Sequence, residues 1–142
     1  MHQNVHQLGI QAYGAARRTQ TPLRVIVELY DAMLCAVAHA KQAKLETRPE
    51  AEFNAVNRVT QILLGLDGVL NRDDPRCGSL AAQLHDYYKT TITQVHRARA
   101  ARSPDAELRY ASVQRQVLAM REAFASVAGV PSLVAQRSEK TA

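Results

Sequence analysis

Apolar residues return every three or four positions along most of this chain, with polar or small residues between them. Leu23, Ile26, Tyr30, Met33, Val37 and Ala40 form the first such series, and Val27 and Leu34 widen it. That period predicts a helix with one inward face. Thr21-Pro22 marks its start, because a Thr oxygen can accept from a free first-turn amide and Pro supplies the φ of the first helical position. Arg24 stands where a capping box would place Glu, so the cap lacks its reciprocal partner. The helix is expected to reach about Lys44, after which "LETRPE" turns the chain.

A second helix is expected from Pro49, with Glu50 and Glu52 near its positive N-terminal end. It carries two stripes, Phe53, Val56, Thr60, Leu63 and Leu70 on one and Val59, Ile62, Leu66 and Val69 on the other. Such a wide apolar girth predicts contact with more than one neighbour. "NRDDPRCGS" breaks the pattern. A third helix, about Ser79 to Arg102, aligns Leu80, Leu84, Tyr88, Ile92 and Val95, and its cationic end "HRARAAR" suits a helix C-terminus. Ser103-Pro104 repeats the start signal, and Ala106, Tyr110, Val113, Val117, Met120, Phe124 and Val127 follow at four-three spacing until Gly129 and Pro131.

Four amphipathic segments with short connections predict an all-α fold, an antiparallel up-and-down four-helix bundle with an N-terminal arm. Residues 1–20 read as a mobile arm, 21–129 as the bundle and 130–142 as a flexible C-terminal tail. Within the arm, Leu8, Ile10 and Tyr13 are spaced so that one helical turn would gather them.

Composition agrees with that architecture. Hydrophobic residues make up 46% of the 142 but aromatics only 5%, and Trp is absent, so the core has to be built from Ala, Leu and Val on closely packed helices. The length suits a single domain. No apolar run approaches the ~20 residues that cross a bilayer, and the first residues lack a secretory layout, so a cytoplasmic chain without membrane insertion is expected. Cys35, inside an apolar helical stretch, reads as an inert core thiol, and Cys77 as a turn residue. None of the five histidines, at 2, 6, 39, 85 and 96, belongs to a Glu-x-x-His pair, and His39, His85 and His96 read as boundary or solvated residues. No Gly-rich phosphate loop is present. No metal, no cofactor and no enzymatic activity are therefore expected.

The formal net charge of +5 permits an acidic partner. Arg97, Arg99 and Arg102 could join Arg17, Arg18 and Arg24 in a basic patch, and a nucleic-acid-binding bundle is one alternative. It lacks a binding module and aromatic interleaving, so no nucleic acid is the expectation. A structural helical homo-oligomer, burying the surplus stripe of the second helix against a second copy, is another. Protein binding fits best: surplus apolar surface on a bundle suits a partner helix or the arm, although the extra stripe could also widen the core contact.

Several motifs, taken in order, resemble those of the FliS family, cytoplasmic chaperones of bacterial flagellin export. They are Ala12-Tyr13 in the arm, Thr19-Gln20-Thr21-Pro22 at the helix start, Leu29-Tyr30-Asp31-Ala32, then "LLGLDGVLN", "LHDYYKTTITQVHRA" and "VLAMREAF". Thr21 stands where the family usually has Ser, "RCGS" replaces a Gly-Gly-Glu turn, and Phe124 stands where Trp is common. The resemblance implies a chaperone that binds the C-terminal segment of flagellin, prevents premature polymerisation and aids delivery to the flagellar type III export apparatus. Export-gate or co-chaperone proteins would be further partners. Leu63, Leu66, Leu70, Leu84 and Tyr87 are expected to line the client groove, because the second helix has surplus girth and Tyr87 lies off the third helix's main seam. Ile10 and Tyr13 are expected to cover that groove in the free chain. Tyr30 is expected in the core with its hydroxyl on a neighbouring helix, and Asp31 either solvated or locally bonded, or in a fixed contact with arm or partner.

Overall fold

The computed structural model describes residues 22–70 and 78–134. The arm proposed for 1–20, Thr21, the 71–77 connection with Cys77, and residues 135–142 lie outside the described residues. Among the described residues there are four long helices: α1 (Pro22–Leu45), α2 (Pro49–Gly68), α3 (Gly78–Ala100) and α4 (Asp105–Ala128). Each begins or ends close to where the Pro and Gly signals place it. The α1–α2 turn leaves α1 through Thr47, held at φ 54°, with the Arg48 N–H donating to the Ala43 carbonyl at 2.8 Å. Gly129, at φ 72°, closes α4 in the same left-handed geometry.

α1 packs against α2 and α4, and α3 against the same two helices, so α1 and α3 face each other across a diagonal. Three cross-links give the directions. Asp31 near the start of α1 meets Arg121 near the end of α4, Lys44 at the end of α1 meets Glu52 at the start of α2, and Asp67 at the end of α2 meets His85 in α3. The bundle is antiparallel and up-and-down, as the periodicity predicts.

The core is mostly aliphatic, with three buried tyrosines, Tyr30, Tyr88 and Tyr110, set among Ala, Val and Leu. Ala36, Ala40 and Ala43 are buried on α1 beside Tyr30, Met33 and Val37, and Val56, Val59, Leu63 and Leu66 fill the inner face of α2. Two polar groups set into this core differ from the apolar stripes. On α2 the inward line starts one residue before Phe53: Glu52 is buried, and Phe53 is half out in solvent with the Arg99 guanidinium 5.0 Å from its ring centroid. On α4 the buried line is Ala106, Tyr110, Val113, Val117, Arg121 and Ala125. Strict four-three spacing slides around a helix of 3.6 residues per turn, so Met120, Phe124 and Val127 rotate out of the seam toward α3.

Candidate functional site

The apolar residues displaced from the α4 seam meet matching residues of α3 along an open groove. Leu80, Leu84 and Tyr87 form one wall, and Met120, Phe124 and Val127 the other, around about 290 Å³. Leu80 is 57% exposed and Val127 74%, while Leu84, Tyr87, Met120 and Phe124 are half-buried against the core. The groove rests on a rigid aromatic base. Phe124 stacks on Tyr30 with centroids 5.5 Å apart, Tyr87 lies edge-on to Tyr88 at 5.6 Å, and the Tyr30 hydroxyl donates to that of Tyr88 at 3.1 Å. Tyr87 itself reaches across to donate to the Gln116 carbonyl of α4. Burial pushes its phenol up to about 12, and burial raises Tyr30 and Tyr88 as well, so all three rings are neutral at physiological pH. The trough between the two helices is neutral and mostly carbon-lined, the character of a surface that suits the apolar face of an amphipathic helix.

The other flank of α4 carries a second groove of about 520 Å³, between Leu34, Cys35 and Ala38 of α1 and Ala111, Gln114 and Leu118 of α4. Cys35, expected in the core, is exposed here, because it lies one position beyond the buried line of Met33, Ala36 and Val37. Asp31 has a fixed partner within the chain: the buried Arg121 donates to both of its carboxylate oxygens, at 2.8 and 3.3 Å.

Residues 8–130 match the family described as flagellar protein FliS. The chain belongs to the FliS family. It is thus a flagellar export chaperone by family, and no curated protein matches it individually. The FliS match covers the whole described bundle except its last four residues.

Of the residues expected to line a client groove in this FliS chain, Leu84 and Tyr87 stand together in the α3/α4 trough. Leu63 and Leu66 do not line it. Both are buried at the bundle centre, because they continue the inward line Glu52–Val56–Val59 at four-three spacing. The exposed leucine of that stretch is Leu64, at the next position round. Leu70 is half-buried against the core just after α2, and Ile10 and Tyr13 lie outside the described residues. Sequence reasoning missed the α4 wall, assigning Met120, Phe124 and Val127 to the core seam. Arg121 was the available signal: a cation inside "VLAMREAF" marks where the apolar face and the buried face part company.

The opposite end of this FliS bundle holds a buried polar cluster. The Tyr110 hydroxyl donates to Glu52 at 2.6 Å, Lys44 pairs with the same carboxylate at 3.2 Å, and Lys44 also donates to the Arg99 and Ala101 carbonyls at 2.8 and 3.0 Å. A lysine from α1 thereby satisfies free carbonyls at the end of α3, a task usually met within the helix itself.

Proposed function

We propose that this FliS-family chain binds the C-terminal segment of flagellin by laying an amphipathic helix of it into the α3/α4 groove. Held there, the segment hides the apolar face through which flagellin polymerises, and the subunit stays unassembled until it reaches the flagellar type III export apparatus. The observation that carries this reading is the open apolar trough of Leu80, Leu84, Tyr87, Met120, Phe124 and Val127. Its two most exposed members, Leu80 and Val127, lie at the lip, where a partner helix would remove the most surface from water. A segment that is disordered when free and folds on contact loses conformational entropy on binding, which offsets part of the interface energy and keeps the complex reversible.

Ile10 and Tyr13 of the arm are proposed to shield the same trough until the client displaces them, and Leu70 to flank it. Export-gate and co-chaperone contacts belong to the loaded complex.

Calorimetric titration with a peptide from the C-terminal end of the same organism's flagellin tests the reading. One-to-one binding with a large negative heat-capacity change and little salt dependence is expected. L80E and V127E alter exposed side chains, so each is expected to weaken binding by about tenfold or more with thermal stability unchanged. Equal affinity in both variants would exclude this groove. Affinity that falls steeply with salt would point instead to nucleic acid or another polyanion. Deleting residues 1–18 is expected to tighten the complex, and unchanged affinity would remove the arm from the mechanism.

A further inference from the structure

After α4 the backbone folds back on the bundle. Gly129 closes the helix, and the Val130 N–H donates to the Ala125 carbonyl at 2.9 Å. Two adjacent α4 side chains then hold the returning segment. Arg121 donates to the Pro131 carbonyl at 2.9 Å, and the Leu133 N–H donates to the Glu122 carboxylate at 3.0 Å. Leu133, half-buried, and Val134 thereby join the lining of the α1/α4 groove.

Arg121 connects this segment to α1. Its side chain is 3% exposed, and Asp31 engages two of its nitrogens, Nε at 2.8 Å and Nη2 at 3.3 Å, leaving Nη1 aimed at Pro131. A guanidinium is planar, so a two-point clamp on one edge fixes the direction of the donors on the other. The returning segment is therefore positioned by an acid 90 residues upstream of the arginine that holds it.

We propose that residues 130–134 are a strap across the α1/α4 groove and that Asp31 is its latch, acting through Arg121. With the strap down, Leu133 and Val134 sit in the lining of the α1/α4 groove, while the α3/α4 trough on the other flank of α4 has no such segment in its lining. The strap so decides which flank of α4 an amphipathic helix can enter. Lifting it breaks the bonds of Arg121 and Glu122 to the strap and leaves the four helices in place. This inference goes beyond the flagellin reading and does not depend on it.

The test uses the full chain carrying C77S, so that Cys35 is its one thiol, and compares D31A, E122A and E122Q by NMR-detected amide exchange and by the rate of maleimide labelling. D31A is expected to speed exchange at residues 130–134 by about tenfold, the scale of one charge-assisted hydrogen bond, and to speed Cys35 labelling, with α2 and α3 unchanged. E122A is expected to do the same from the strap side. E122Q keeps an oxygen that accepts from Leu133 and is expected to match the parent. Parental exchange across 130–134 in a folded D31A overturns the latch. Should D31A loosen all four helices, E122A decides: faster Leu133 exchange with faster Cys35 labelling supports the strap, and any other result overturns it.

Discussion

Tyrosine hydroxyls make several of the bonds between helices of this bundle. Tyr30 meets Tyr88, Tyr110 meets Glu52, and Tyr87 meets the backbone of α4. Burial raises all four phenols above the ordinary value of 10.0, with the bond to Glu52 adding to the effect at Tyr110. A phenol whose folded value is raised keeps a proton that the unfolded chain releases. The stability it contributes is fully present below pH about 10 and is lost as the pH climbs through the folded value, about 12 for Tyr87. Thermal melts are therefore expected to hold steady to about pH 9.5 and to fall above it, and Y87F is expected to make that fall shallower. Lys44 gives a second expectation at this scale. Removing it leaves Glu52 buried with Tyr110 as its remaining partner, so K44A should lower stability by about 3 kcal/mol, read from urea unfolding.

Among the elements, legibility in the sequence followed the strength of the local signal. Start and stop residues have fixed backbone consequences, and all four helices lie where Pro, Ser-Pro and Gly place them. The inward face of each helix was harder to read, because hydrophobicity reports what a side chain prefers and not which neighbours it meets. Phe53 looked like a core residue, yet Glu52 is buried in its stead, since Lys44 and Tyr110 arrive from other helices to partner it. Leu66 looked like surplus girth and is core, with 2% of its surface exposed. L66A is accordingly expected to destabilise the bundle by about 3 kcal/mol through the cavity it leaves, with the unfolding midpoint as readout. One element carries local strain. Thr47 is β-branched and sits at positive φ, a conformation that glycine adopts freely. T47G is expected to raise stability by about 1 kcal/mol, once its larger unfolded-state entropy is set against the relieved strain.

Over the whole molecule, adjacent helices share the broad apolar contacts, and a few polar groups also span the diagonals. Tyr30–Tyr88 links α1 to α3 toward one end, while Lys44 with the Arg99 and Ala101 carbonyls links the same pair at the other, where Glu52–Tyr110 links α2 to α4. No adjacent pair of helices can leave without breaking one of these links, so heat is expected to unfold the bundle in a single step. Coincident melting curves by far-ultraviolet circular dichroism and tyrosine fluorescence would show it. These links and the α3/α4 trough were beyond reach of periodicity, because both depend on which turns of distant helices come level.

The pairing of Asp31 with Arg121 places the beginning of α1 and the end of α4 at one pole of the bundle, with the Glu46–Arg48 and Ala101–Pro104 turns at the other. Such a molecule is open to circular permutation. A short flexible linker could join the beginning of α1 to the segment that follows α4, and new termini could be cut at Thr47, giving a carrier tethered from its far end with the α3/α4 flank still uncovered.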